Sequence, residues 1–182
     1  MALLRVPYKM LLAPVPPFNL NQQNTALLLM DAQHFTTTRD QGLGRVAHGR
    51  GIDRELDEYY LQVEAAIRNM ARLVAACRAH GVRVIHTVLN GAKADRSDLS
   101  RQMQVSELPI PVGDPQAEIR PEVAPQAGEL ILPRVTYSPF VTKDLAEVLH
   151  QAKVDTIILA GMLANYSVWM TAREAADRDF GV

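Results

Sequence analysis

Four short apolar runs divide the chain, and each ends at a polar residue or a turn. The runs cover residues 26–30, 82–87, 129–133 and 156–160. Short runs rich in Leu, Ile and Val are typical of strands buried on both faces of a parallel sheet, although buried helix shares this pattern. The first run is unbroken from Ala26 to Met30 and stops at Asp31. We therefore predict four buried strands.

Between these runs, apolar positions recur at steps of three and four residues, which is the period of a helix. The longest stripe lies between Asp53, a residue type that favours helix N-caps, and Gly81, a residue type that ends helices. Its apolar members are Leu56, Tyr59, Tyr60, Val63, Ile67, Met70, Val74 and Cys77. Thr142 is the predicted N-cap of one further helix, which carries Leu145, Val148 and Leu149 on one side. Another helix is predicted from about Ser167 to Arg178.

The alternation of strands and helices indicates right-handed crossovers. The predicted fold class is α/β, a doubly wound, mostly parallel sheet with helices on both faces in three α/β/α layers. Residues 32–52 and 89–127 lack a clear period and are predicted as long connections, the second with at most short helices. Phe180-Gly181-Val182 resembles the opening of a strand. We therefore expect a C-terminal strand and helix to be missing. The predicted organisation is an extended arm at residues 1–23 followed by one domain at residues 24–182.

The composition and charge of the chain disfavour several classes of protein but do not indicate an activity. The 182 residues are 48% apolar, and 19 basic against 20 acidic side chains leave a formal net charge of -1. This balance gives no support to nucleic-acid binding or to a polybasic membrane anchor. An apolar run at 10–13 is broken at once by prolines and is too short for a membrane helix. The only cysteine, Cys77, favours a reducing compartment, so we predict a cytoplasmic protein.

Three polar residues, Asp31, Arg134 and Ser167, follow predicted strands or the turn after one. Open α/β sheets bind ligands outside the carboxyl ends of their strands, so these distant residues could meet there. Asp31 is either a turn residue that caps backbone amides or a carboxylate that moves protons. Ser167 is either a helix N-cap or a nucleophile. Arg134 is either a salt-bridging residue or a clamp for an anionic substrate group.

Other kinds of chemistry find less support in the sequence. The five histidines show no metal-ligand spacing, so we predict no metal site. No phosphate-binding glycine motif follows a strand, so we predict no nucleotide cofactor. Cys77 falls on the long apolar stripe and is interpreted as a core residue.

The polar strand ends lie in segments that together resemble the isochorismatase-like (cysteine hydrolase) family, which includes nicotinamidases, N-carbamoyl amidases, ureide amidohydrolases and isochorismatases. The similar segments are residues 26–35, 84–87, 130–140 and 161–178, in matching order. The most specific is Gly-Met-Leu-Ala-Asn-Tyr-Ser-Val at 161–168. The resemblance covers roughly residues 24–182.

The amidase members of that family use an Asp as base, a Lys that supports charge and a Cys as nucleophile, with an oxyanion hole of backbone amides near a cis peptide bond. Asp31 matches the Asp, whereas Arg134 and Ser167 stand at the Lys and Cys positions. The cis bond would fall near Met162-Leu163. The resemblance implies substrate or oxyanion contacts from Met162, Leu163, Gln33, Phe35 and Tyr137. It also implies no cofactor, a small-molecule substrate and a homo-oligomer.

The two replacements leave two functions open. One is a hydrolase that acts on a small, anionic amide, ureide or vinyl ether, with Asp31 as acid or base. A serine hydroxyl then needs that base, because a helix N-terminus and a cation do not ionise it as they ionise a thiol. The other is a non-catalytic family descendant that binds a small acid or a protein partner. Leu89 replaces the Gln that the isochorismatase branch presents after the second strand, which disfavours isochorismate.

Overall fold

The four predicted strands form one parallel sheet in a computed structural model, which describes residues 20–105, 110–142 and 145–182. The strands are β1 Thr25–Met30, β2 Arg83–Leu89, β3 Leu130–Arg134 and β4 Thr156–Gly161, in the order β3-β2-β1-β4. Leu28 on the central strand pairs with Ile85 on one side and Leu159 on the other. Every residue of β1 is buried, which explains its unbroken apolar run.

Helices connect the strands, and none within the described ranges is long and apolar enough to cross a membrane. The α-helices of those ranges are α1 His34–Thr37, α2 Gly42–Gly49, α3 Asp57–Ala79, α4 Arg101–Val105, α5 Pro139–Thr142, α6 Leu145–Gln151 and α7 Trp169–Asp177. Short 3-10 turns occupy Asp53–Leu56, Pro115–Ala117 and Pro121–Val123. A π-helical turn, Ala164–Val168, lies between β4 and α7.

The two faces of β1 pack against different helices, which confirms the three-layer prediction. Leu27 and Leu29 pack with the apolar stripe of α3, and Cys77 lies in this cluster as a buried core residue. Leu28, on the opposite face, packs with residues of α6 and α7 such as Leu145. Successive strand residues alternate between the faces, so one apolar run supplies both cores.

The prediction of a loop over residues 32–52 is wrong, because α1 and α2 lie inside it. The glycines that suggested an irregular segment permit close packing of the backbone. A Cβ atom on Gly42 would lie 2.0 Å from the carbonyl oxygen of Phe35, and Gly42 has a φ of 40°. The prediction of Asp53 as an N-cap is also wrong. It begins a 3-10 turn whose cap position, Ile52, makes no side-chain hydrogen bond.

The second predicted connection, 89–127, is confirmed as a segment with short helices only, although 106–109 lie outside the described residues. Of the predicted arm, only residues 20–23 are described, and they lead into a turn before β1. α5 ends at Thr142, the predicted cap, and residues 143–144 are also outside the described ranges. At the C-terminus, Gly181 forms a parallel bridge with Thr156, as expected for the opening of a strand.

A largely buried ion network ties α3 to β2 and to the residue that precedes β3. Glu129 accepts hydrogen bonds from Arg78 Nε and Nη2, both at 2.8 Å, and lies 3.0 Å from His86 Nε2. The side chain of Glu129 is 13% exposed. Its bonds with Arg78 are the main reason that the pKa of Glu129 falls to about 2, whereas burial lowers the pKa of His86. The network therefore holds an ionised carboxylate against a buried imidazole.

Replacing Glu129 with Gln should lower the free energy of unfolding by roughly 2–3 kcal/mol at neutral pH, since it removes the charged partner of Arg78 and His86. Because the folded-state pKa is depressed, this stabilisation is present above the ordinary value of 4.5 and disappears as pH falls towards about 2. Denaturant titrations at neutral pH and at about pH 3 measure the change. The exposed Glu55→Gln is the matched control. Equal deficits at both pH values would contradict the prediction.

Candidate active site

Asp31 is the first residue after β1, and hydrogen bonds to β2 and to α1 hold its backbone in place. It has a φ of 50°, in the left-handed region. Its N–H donates to the Thr87 carbonyl at 3.0 Å, and its carbonyl accepts from Thr36 Oγ1 at 3.0 Å. The residue is 2% exposed. The carboxylate is therefore fixed at the carboxyl end of the sheet, where the sequence predicted it.

Arg134 reaches this carboxylate from the last position of β3, across the end of β2. Its Nη2 lies 2.5 Å from each carboxyl oxygen of Asp31. Nη1 donates to the Thr136 carbonyl at 2.5 Å, and Nε donates to Thr87 Oγ1 at 3.5 Å. The arginine side chain is entirely buried. Of its two sequence interpretations, the salt-bridging one is observed, with the candidate carboxylate itself as the partner.

Ser167 completes the cluster from the π-helical turn after β4. Its hydroxyl lies close enough to the Asp31 carboxylate to lower the pKa of that carboxyl, and the residue is 1% exposed. α7 begins at Trp169, and its cap position, Val168, has no side-chain capping bond. The N-cap interpretation of Ser167 is therefore wrong, because this residue lies inside the turn that precedes α7, and the α-helix begins two residues after the predicted position.

The electrostatics of the cluster act on Asp31 in opposite directions. Burial raises the pKa of its carboxyl above the ordinary value of 3.8, whereas the Arg134 guanidinium and the Ser167 hydroxyl lower it. A carboxylate taken out of water is a stronger base than a solvated one. The arginine stays charged and cannot relay protons. The arrangement can therefore transfer a proton between the hydroxyl and the carboxylate.

The predicted oxyanion residues lie where β4 approaches β1. A cis peptide bond joins Met162 to Leu163, the position that the family resemblance implies. Met162 N–H donates to the Met30 carbonyl at 2.9 Å. Gly161 permits this approach, because a Cβ there would lie 2.0 Å from the same oxygen.

The other predicted substrate residues have different surroundings. The Gln33 amide donates to the Leu89 and Ala117 carbonyls at 3.0 and 2.8 Å, and accepts from the Leu89 N–H at 2.8 Å. Its bonding capacity is thus directed to the backbone beside the cluster. Phe35 is completely buried in a hydrophobic cluster. Tyr137 stacks on Tyr166 with ring centroids 5.1 Å apart.

Sequence reasoning missed the two threonines that hold Arg134. Thr87 and Thr136 each give that side chain an oxygen acceptor. Thr87 had a usable signal, since it lies at the carboxyl end of a predicted strand, whereas Thr136 acts through its carbonyl, which no residue type reveals. Among the described residues, no three His, Cys, Asp or Glu side chains are grouped as metal ligands.

Solved structures share this fold. A cysteine hydrolase from Pseudomonas syringae superposes with a TM-score of 0.71 at 24% identity, over 92% of this chain and 73% of that one. An N-carbamoylsarcosine amidase from Thermoplasma acidophilum superposes with a TM-score of 0.63 at 23% identity, over 86% of this chain and 78% of that one. At these identities the likeness establishes the α/β architecture alone.

Sequence relatives extend the comparison. Maleamate amidohydrolase of Pseudomonas putida is 34% identical over 121 residues, which cover 65% of this chain and 56% of that protein. N-carbamoylsarcosine amidase of an Arthrobacter species is 29% identical over 123 residues, which cover 65% of this chain and 47% of that protein. The chain thus spans about half the length of these two relatives. The Isochorismatase domain model matches residues 25–182, so the chain belongs to the isochorismatase family.

Proposed function

We propose that this protein hydrolyses a small, anionic amide or ureide with Asp31 as the acid and base. One observation carries the proposal: the buried Asp31 carboxylate is paired with Arg134 and has the Ser167 hydroxyl beside it at the carboxyl edge of the sheet. The named activities of the relatives support the substrate class, since they include maleamate amidohydrolase, N-carbamoylsarcosine amidase and ureidoacrylate amidohydrolase.

In the proposed reaction, Ser167 Oγ attacks the carbonyl carbon while Asp31 accepts the hydroxyl proton. The C–N bond then breaks, and Asp31 returns the proton to the leaving nitrogen. Water attacks the resulting acyl ester, again with Asp31 as the base, and regenerates the serine. General base catalysis of this kind contributes about a hundredfold to ten-thousandfold in rate. A base raised in pKa by burial suits a serine better than a solvated carboxylate would.

Arg134 and the backbone supply the charge stabilisation in this proposal. The guanidinium orients the carboxylate and provides the positive charge that favours an anionic substrate. The first N–H groups of a helical turn lack acceptors within that turn. In the turn Ala164–Val168, the Tyr166 and Val168 N–H groups already donate to the Leu163 carbonyl, so the N–H groups offered to a developing oxyanion would be those of the remaining residues.

A second candidate function is a non-catalytic binding protein. It is favoured because the three side chains of the cluster are buried and lie against one another. Asp31, Arg134 and Ser167 are each no more than 2% exposed, and one guanidinium nitrogen contacts both carboxyl oxygens. A vinyl ether hydrolase would instead need a protonated Asp31, a form that burial favours and the neighbouring guanidinium opposes. A homo-oligomer and a cytoplasmic location remain predictions.

Turnover of maleamate, N-carbamoylsarcosine and ureidoacrylate tests the proposal, with Ser167→Ala and Ser167→Cys beside the natural protein. We expect the natural protein to turn over at least one of them and the alanine variant to lose about a hundredfold or more in kcat. The cysteine variant should form an acyl adduct visible by mass spectrometry. Failure of the natural protein and of the cysteine variant with all three compounds would favour the binding protein.

A further inference from the structure

A separate cavity of about 320 Å³ lies between α2, the turn Asp53–Leu56 and the start of α3. This volume falls at the lower end of small-ligand sites, which run from roughly 300 to 1,000 Å³. The lining residues are Arg39, Asp40, Gly44, Arg45, His48, Asp53, Leu56 and Tyr60. The cavity shares no lining residue with the Asp31 cluster, so ligand binding there does not depend on the proposed reaction.

The Tyr60 hydroxyl is a buried polar group without a partner in the described structure. Tyr60 is 7% exposed, and its hydroxyl makes no hydrogen bond. A Cβ atom on the neighbouring Gly44 would lie 2.8 Å from that oxygen, so the hydroxyl lies against Gly44, which also lines the cavity. Burial raises the pKa of Tyr60, which keeps the hydroxyl protonated and able to donate. Buried polar groups are normally satisfied, so an unpaired one beside a cavity indicates a missing partner.

Two of the basic side chains that line the cavity already lie near carboxylates. Arg39 forms an ion pair with Asp57, and its guanidinium lies 5.0 Å from the centroid of the Tyr60 ring. His48 Nδ1 lies 3.9 Å from Asp53. These two contacts pair most of the acidic and basic side chains that line the cavity. The Arg39 guanidinium covers one face of the Tyr60 ring.

Two opposite charges remain in the lining. Arg45 and Asp40 are both exposed, and neither forms a salt bridge with another described residue. Burial is the main reason that the pKa of Tyr60 is raised, and the negative charge of Asp40 adds to this effect. Leu56 contributes apolar surface to the same cavity. The lining thus presents one cation, one anion, one hydrogen-bond donor and an apolar wall.

We propose that this cavity binds a small zwitterion of the α-amino acid type with an apolar side chain. Arg45 and the Tyr60 hydroxyl bind its carboxylate, Asp40 binds its ammonium group, and the apolar part lies against Leu56. Charge-assisted hydrogen bonds supply the orientation, and the carboxylate satisfies the unpaired hydroxyl.

L-leucine is the probe for this proposal, compared with N-acetyl-L-leucine, which lacks the cation, and L-leucinamide, which lacks the anion. Calorimetry on the full chain should show one site that prefers L-leucine to either analogue by about fivefold or more. Amide chemical-shift changes should map to α2 and the start of α3. The Asp31 cluster should show no changes.

Variants assign each group. Arg45→Gln should weaken leucine and N-acetyl-leucine but not leucinamide, whereas Asp40→Asn should weaken leucine and leucinamide but not N-acetyl-leucine. Tyr60→Phe should weaken leucine binding without lowering the melting temperature, because it removes an unpaired hydroxyl. The control is Arg68→Gln, an exposed α3 residue outside the lining. No saturable leucine binding, or equal binding by the Arg45, Asp40 and Arg68 variants, would overturn the proposal.

Discussion

Asp31→Asn should reduce kcat/KM for the amide substrate by about a thousandfold, within the range for loss of a general base. The change preserves the shape of the side chain and removes its charge and its basicity. In the proposed reaction, the Ser167 hydroxyl then lies beside an amide that cannot accept its proton. Steady-state kinetics on whichever compound the natural protein hydrolyses measures the loss, and a rate equal to that of the natural protein would remove Asp31 from the mechanism.

The control for Asp31→Asn must separate lost chemistry from lost folding. Neutralising Asp31 leaves the Arg134 guanidinium buried without its counter-ion. The double variant with Asp31→Asn and Arg134→Met removes both charges, so it should unfold closer to the natural protein than the single variant does. Because Arg134 also supports the proposed reaction, it is a folded and inactive Asp31→Asn variant that assigns the catalytic loss to chemistry.

Arg134→Met is expected to lower the free energy of unfolding by about 3–5 kcal/mol at neutral pH, because it leaves a buried carboxylate unpaired. The guanidinium contacts both carboxyl oxygens of Asp31 and bonds two neighbouring threonines. Arg134→Lys retains the charge but not the forked geometry, so a smaller loss is expected. Chemical denaturation measures each change.

The loss in Arg134→Met should depend on pH in a defined direction. Arg134 opposes the effect of burial, so its removal raises the pKa of Asp31 further above 3.8. A group with a raised folded-state pKa contributes stability below its unfolded pKa, and this contribution is lost as pH rises through the folded value. The variant should therefore be relatively more stable in mild acid than at neutral pH. A deficit that stayed constant across this interval would contradict a buried, unpaired carboxylate.

Elements with strong periodicity were predictable, and those whose form depends on distant contacts were not. The strands and the long helix agree with their apolar runs because burial demands those runs locally. The segment at 32–52 was misread because its glycines signal irregularity, whereas Gly42 allows the backbone to approach Phe35. Ser167 was misread in part, since it is the fourth residue of a π-helical turn that leads into α7 and not the cap of that helix.

The amino-acid sequence alone determined the parallel α/β class, the family and the placement of Asp31, Arg134 and Ser167 at strand ends, because these follow from local burial patterns and from ordered motifs. Tertiary structure alone decided that Arg134 crosses β2 to bind both oxygens of Asp31, that Gln33 bonds the neighbouring backbone, and that Tyr60 faces a cavity unpaired. The physical reason is that strand order and side-chain reach depend on how distant segments pack. Periodicity along the chain does not encode that packing.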